Sequence, residues 1–291
     1  FRTADGNGWR EPVLGTVAAL VGMVPEGLVL LTSIAFLLAA LALTKRQVLV
    51  QELPAVEGLA RVDVVCADKT GTLTEGHISF VDAVDAAGNT SADVLRLGLL
   101  ATDVDPATGG ASGNDMDGAL WESHPDARNL TAGVTRIAEL PFDHTRRASS
   151  VLFDEKDSST RTLVLKGAPE QTLADCVDVP TSTRSTLDAL FADGRRVVAV
   201  ATRSATGLTA VTAADEKGLT LAGFLVFADN PKAAAKDSLA ELAELEIDVK
   251  VATGDNAQVA EKVCADLGLT SRGSITGTEM ERLSGAEFDE M

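Results

Sequence analysis

The string with the most specific chemistry is Asp68-Lys69-Thr70-Gly71-Thr72-Leu73-Thr74, directly after the Val-rich run Arg61 to Ala67. A short branched apolar run ending in an acid and a Gly/Thr loop predicts a buried strand that delivers a carboxylate to the carboxyl edge of a parallel sheet. Open α/β sheets bind ligands at that edge, and an aspartate there can attack phosphorus to form an aspartyl-phosphate. Asp68 is therefore the candidate nucleophile. A second such run, Ile247 to Ala252, leads into Thr253-Gly254-Asp255. A hydroxyl and backbone N–H donors at a strand end stabilise charge on a phosphoryl group in transfer. A third candidate is Glu26, the only charged residue in the 32-residue stretch from Val13 to Thr44. An ionisable group at membrane depth is costly and usually tied to an ion path, and a helix interrupted near Pro25 exposes carbonyls that can coordinate a cation.

In this combination DKTGTLT resembles the phosphorylation motif of the P-type ATPases, ion pumps whose phosphorylation domain belongs to the haloacid dehalogenase superfamily. The resemblance implies that Asp68, Lys69 and Thr70 form the phosphorylation loop, with Asp68 and the Thr70 carbonyl beside Mg²⁺. It makes Thr253, Gly254 and Asp255 the phosphate-facing second motif. Lys166-Gly167-Ala168-Pro169-Glu170 resembles the family's adenosine-site motif, with Lys166 lining the pocket and Gly167 allowing close approach of the purine. Pro141 to Arg147 (PFDHTRR) is similar to the segment in which an aromatic ring, here Phe142, stacks on adenine and a following cation, here Arg147, meets phosphate. Asn114 to Leu120 resembles the acidic stretch that reaches the adenine amino group, which gives that role to Asp117. Asp193 to Ala199 resembles the strand carrying a phosphate-reaching arginine, aligned on Arg196. Asp229-Asn230-Pro231-Lys232 lies where the family has a hinge motif; Asn230 and Lys232 depart from its commonest form, and Asp229 keeps it. Pro25-Glu26-Gly27-Leu28 is similar to the fourth-helix motif of calcium and sodium/potassium pumps and unlike the Cys-Pro-Cys of heavy-metal pumps, and its oxygen donors suit a hard cation such as Ca²⁺. ATP and Mg²⁺ are the implied cofactors. No GxxxxGK[ST] loop occurs, so a Walker cradle is excluded.

These residues need a frame. A continuous helix over Val13 to Thr44 would be roughly 48 Å long against a hydrocarbon core of about 30 Å, so residues 13–45 are expected to form a broken transmembrane helix. Lys45 and Arg46 close the run and place the chain beyond them in the cytosol. The resemblance divides the rest into 46–76 and 229–291, two parts of a haloacid-dehalogenase-like doubly wound parallel sheet that is incomplete at its C-terminal end. Residues 77–228 are then an inserted α+β nucleotide-binding domain. Strand-like pieces at Ser150–Phe153, Thr162–Leu165 and Arg196–Ala201, a Gly/Ser/Asp-rich loop at Asp103–Asp117, and helices at Lys232–Leu245 and up to Leu267 agree with a mixed α/β chain.

Composition excludes several classes. Of 291 residues 45% are hydrophobic, which excludes disorder, and 25 basic against 43 acidic residues give −18, which argues against nucleic acid as a partner. The three cysteines, Cys66, Cys176 and Cys264, form no CxxC pair and read as small core residues, Cys66 within the strand before Asp68. His77, His124 and His144 lack ligand spacing and read as surface or linker residues. The implied partners are ATP, a transported cation, the lipid bilayer, and the remaining transmembrane helices and actuator domain of a larger multi-pass pump, of which the chain is expected to be an internal fragment. The alternatives are a soluble phosphatase of the same superfamily, which the apolar run opposes, and a non-catalytic ATP-binding module.

Overall fold

The computed structural model describes residues 9–23, 26–52, 54–103, 114–155, 161–285 and 287. The chain divides into two compact units, Phe1–Val65 and Cys66–Met291.

The first unit contains helices Arg10–Met23, Glu26–Lys45 and Pro54–Leu59. Leu14, Val17, Leu20, Leu30, Leu31 and Leu38 are exposed along the first two, so these helices present apolar side chains on their surface. Among the described residues, Gly27–Lys45 is the one stretch of helix long and apolar enough to cross a membrane. Pro25 lies outside the described residues, as does the side chain of Glu26.

The strands are β1 Val64–Asp68, β2 Thr74–Asp85, β3 Val134–Asp143, β4 Ala148–Glu155, β5 Arg161–Gly167, β6 Cys176–Val177, β7 Arg196–Ser204, β8 Leu219–Pro231 and β9 Asp248–Ala252. They form two sheets. β1 pairs with β9, and seven strands form a second sheet in the order β2-β8-β7-β5-β4-β3, with β6 on β8. Apart from the parallel β6–β8 contact, neighbours in the larger sheet are antiparallel. The strand expected over Arg61–Ala67 starts later, at Val64, and is not buried: Val64, Cys66 and Asp68 are exposed in a pattern that alternates with half-buried neighbours. With β9 as its partner in a two-stranded sheet, β1 is covered on one face by helices rather than enclosed between strands. Cys66 is accordingly exposed.

Helices Ala233–Glu244 and Ala257–Asp266 give that cover. Ala235, Leu239, Val263 and Leu267 bury with Leu73 against the half-buried Ala67, Val249 and Val251. Asn256 caps the second helix, its side-chain oxygen accepting from the Gln258 N–H at 2.9 Å.

The larger sheet is packed on both faces. Helices Ala92–Leu100 and Asp115–Glu122 bury Val94, Leu99 and Leu120 with Phe153, Val164, Val200, Leu225 and Phe227, and Met116 and Trp121 pack against that core half-buried. On the other face helix Ser182–Ala192 brings Leu187 and Phe191 to Val197, Ala199, Phe224 and Val259. The end of the expected Asp103–Asp117 loop is thus helical from Asp115, where the Asn114 side chain accepts from the Asp117 N–H at 2.9 Å. Residues 104–113 lie outside the described residues.

β2 leaves the Asp68 loop and β8 returns to the second segment, and the two strands lie side by side, Ile78 opposite Asp229 and Ser79 opposite Ala228. Gly223 lets them approach, since a Cβ there would stand 2.0 Å from the Val84 carbonyl oxygen.

Candidate functional site

Asp68 ends β1 and is exposed, and its carboxylate accepts the Thr70 N–H at 3.2 Å. Its neighbour Lys69 points inward. Lys69 is buried, with Nζ 2.7 Å from Asp255 Oδ2 and 3.5 Å from Asp229 Oδ2, and both carboxylates are themselves buried. Asp229 also accepts from the Thr74 hydroxyl at 2.7 Å and the Gly76 N–H at 3.3 Å. Asp255 carries a second cation, Arg196, whose Nε lies 3.5 Å from Oδ1. One lysine, one arginine and two carboxylates therefore form a neutral cluster that ties Lys69 to residues far along the chain. Thr253 sits half-buried at the turn, its hydroxyl accepting the Asp255 N–H at 3.1 Å.

Beyond Asp255 the protein opens into a cavity of about 380 Å³. Its wall includes Asp117, Phe142, Arg147, Lys166, Gly167, Arg196, Gly254 and Asp255. Lys166 is the penultimate residue of β5 and is ion-paired with Asp117, both side chains more than nine-tenths buried. Burial pushes the Lys166 ammonium below the usual lysine range, against the pull of the Asp117 carboxylate. Gly167 is packed so closely that a Cβ would meet the Ala148 Cβ at 2.8 Å and the Arg147 carbonyl oxygen and Thr172 hydroxyl at 3.0 Å. Pro169 opens the next helix at a position where its missing N–H costs nothing. Phe142 is 53% exposed, so its ring is a surface of the cavity rather than core. Arg147 holds φ +49°, and its carbonyl accepts the Ala168 N–H at 3.0 Å, which joins the turn before β4 to the end of β5. Asp143 accepts the backbone N–H groups of Arg146 and Thr145, and these hold its carboxyl below the usual range.

The arrangement is thus a pocket whose wall carries a planar ring, a buried lysine and the Arg196–Asp255 edge of the charge-neutral cluster. Residues 110–234 match the family described as "P-type ATPase, cytoplasmic domain N". The chain is 34% identical over 298 residues to a magnesium-transporting ATPase, P-type 1, of Salmonella typhimurium, covering 96% of this chain and 32% of that protein. It is 39% identical over 267 residues to the calcium-transporting ATPase CtpE of Mycobacterium bovis, covering 90% of this chain and 30% of that one. The chain belongs to the P-type cation ATPases. It spans about a third of the length of the curated relatives it matches.

Within this P-type ATPase sequence the described residues bring most of the candidates to one wall and leave Asp68, Thr70 and Thr253 outside it. Lys69 is not in the wall but pairs with Asp255, which is, and Asp229 is linked to Asp255 through Lys69. Three residues carry more than sequence reading assigned. His144, read as surface or linker, lines the cavity with its ring edge-on to Phe142 at 5.3 Å. Lys232, a departure from the hinge motif, donates from Nζ to the Gly71 carbonyl at 2.6 Å and from its backbone to Leu73 at 2.9 Å, and so holds the Asp68 loop. Arg195 also lines the cavity, paired with Asp193 at 2.7 Å. Local sequence carried no mark of the first two, because both roles depend on contacts across the fold.

Proposed function

We propose that this chain carries the nucleotide-binding and phosphoryl-accepting parts of a pump that couples ATP hydrolysis to transport of a divalent cation across a membrane. The observation that carries this reading is the link from cavity to nucleophile: Asp255 lines the cavity and grips Lys69, the residue next to Asp68. ATP binds with adenine on Phe142 near the Lys166–Asp117 pair and its phosphates running toward Arg196 and Gly254–Asp255. The Asp68 carboxylate attacks the γ-phosphorus. A carboxylate O–P bond forms as the bond from that phosphorus to the β–γ bridging oxygen breaks, and ADP departs with the electron pair. Water later cleaves the aspartyl-phosphate.

The Asp68 carboxylate and the Thr70 carbonyl are hard oxygen donors of the kind that hold Mg²⁺, which when bound neutralises charge on the phosphoryl group. Among the described residues no group of three or more His, Cys, Asp or Glu side chains is gathered as a metal site, so these two supply part of a shell. In the same reading, residues 46–76 and 229–291 are the two parts of a haloacid-dehalogenase-like domain and 77–228 the insert, with 13–45 in the membrane and the chain beyond about residue 45 in the cytosol. Further transmembrane helices and an actuator domain complete the pump. The Salmonella and Mycobacterium relatives are named as magnesium- and calcium-transporting, which supports a hard divalent cation, Mg²⁺ or Ca²⁺, as the proposed cargo, with Glu26 among its proposed ligands.

Membranes expressing a full-length pump that contains this chain are expected to incorporate label from γ-labelled ATP in a form that hydroxylamine removes, and Asp68→Asn to abolish it. Equal labelling of that variant would end the assignment. Glu26→Gln should keep ATP labelling of Asp68 while uptake of Mg²⁺ or Ca²⁺ into vesicles falls; the cation whose uptake falls is the cargo.

A further inference from the structure

Arg146 and Glu216 do not line the cavity, yet they fix the segment that does. Glu216 is 4% exposed and comes directly after the short 3₁₀ turn Ala213–Asp215, far in sequence from the β3–β4 turn. Arg146 Nη1 donates to both Glu216 oxygens, at 2.6 and 2.7 Å, and Ser150 donates to the same carboxylate. Arg146 Nη2 donates to the Pro141 carbonyl at 2.7 Å. One guanidinium thus ties the peptide that precedes Phe142 to an anchor outside the turn. The rest of the turn is held locally: Asp143 Oδ1 accepts from Thr145 and Arg146, and the Arg147 N–H returns to the Asp143 carbonyl at 2.6 Å. Arg147 sits at φ +49°, a conformation that costs a non-glycine residue free energy and persists only where its surroundings enforce it. Phe142, His144 and Arg147 all project from this turn into the cavity wall.

We propose that the Arg146–Glu216 pair is a positioning device for nucleotide recognition: Glu216 orients Arg146, and Arg146 holds the Phe142–Arg147 turn in the shape that meets adenine and phosphate. This rests on the reading of the cavity as the ATP site. Geometry explains why arginine is required. A guanidinium presents several donors in a fixed plane, so it can serve a carboxylate and a carbonyl together, whereas lysine keeps the charge as a single point.

Arg146→Lys therefore leaves Glu216 with a cation and the fold intact, and loosens the turn. The test is made on the 291-residue chain in detergent. Without nucleotide, amide exchange over 142–147 should accelerate in Arg146→Lys while the β7–β8 core stays protected, and Glu216→Gln, which keeps an acceptor of the same shape, should give a smaller change. ATP titration should show Kd raised about tenfold in Arg146→Lys, with most of that loss absent when Phe142 is already alanine, because the two residues act through one turn. Unchanged exchange in Arg146→Lys, or affinity losses that add in full in the double variant, would overturn the proposal. A wild-type chain that binds no ATP while the exchange responds as stated would instead overturn the nucleotide reading, and the positioning role with it.

Discussion

Lys69 and Lys166 are both buried and both held by aspartates, yet their regions are built to opposite ends. Lys69 has two carboxylates, Asp229 and Asp255, and Arg196 supplies the second positive charge on Asp255. That cluster balances its own formal charges, and it joins the Asp68 loop to the segments at the ends of β8 and β9. Among the described residues Lys166 is ion-paired with one carboxylate, Asp117, with Asp103 exerting a smaller charge effect, and the Lys166 and Asp117 side chains form part of a cavity wall. Burial already lowers its pKa, so its ammonium is held at a cost that an acceptor group on a bound ligand would reduce. One buried lysine is thus a cross-link and the other part of a cavity wall, and the difference lies in how many carboxylates are paired with each among the described residues.

Removing each lysine breaks the comparison most directly. Lys69→Met leaves buried Asp229 without the cation that pairs with it and Asp255 with Arg196, and breaking a buried pair in this way costs about 3–5 kcal/mol. The urea midpoint of the second unit is expected to fall accordingly. Lys166→Met leaves Asp117 beside a cavity that water can enter, so the stability loss should be smaller and the main effect a weaker affinity for ATP. Equal destabilisation by the two, or loss of ATP affinity confined to Lys69→Met in a folded protein, would remove the distinction.

The glycines of the two regions sharpen it at a smaller scale. At Gly167 a methyl group meets Ala148, the Arg147 carbonyl and Thr172 at 3.0 Å or less, whereas at Gly254 nothing stands within 4 Å. Gly167→Ala should cost about 1–3 kcal/mol through displacement of β4 against β5, while Gly254→Ala stays within about 0.5 kcal/mol. Thermal unfolding of the pair measures the contrast, and a Gly254→Ala loss as large as that of Gly167→Ala would contradict it.

How much of this was legible in sequence depends on the reach of each interaction. DKTGTLT, KGAPE and the run before Thr253 are local strings whose strand-loop or strand-helix form comes from apolar periodicity and Gly/Pro punctuation, and β5, β7 and β9 fall where those patterns put them, longer or shorter by a few residues. The burial of β1 was not legible, since it depends on how many strands flank it. Nor was the inward turn of Lys69, which is set by Asp229 and Asp255 from distant segments. Arg146 has no role assigned to it within PFDHTRR; its partner Glu216 arrives on the β7–β8 connection, and no spacing rule pairs them. His144 was read as surface, and it is exposed, but sequence could not tell which surface it shares with Phe142.

The finest effect expected at Lys166 is in its protonation. The folded-state pKa of Lys166 is lowered, with burial the largest cause and Asp117 opposing it. Its free-amine fraction therefore appears at lower pH than in an ordinary lysine, near 10.4. Modification by a small amine-directed acylating reagent, read at Lys166 by peptide mass, should reach half-maximal rate below that of the exposed lysines. Asp117→Asn removes the carboxylate that favours the ammonium, so the sign of the change is fixed: the midpoint should move further down, not up. ATP should protect Lys166 from the reagent in the wild type. A midpoint that rises in Asp117→Asn would mean that the carboxylate does not act on Lys166 as its charge partner, and the ligand-facing role would then have to rest on shape alone.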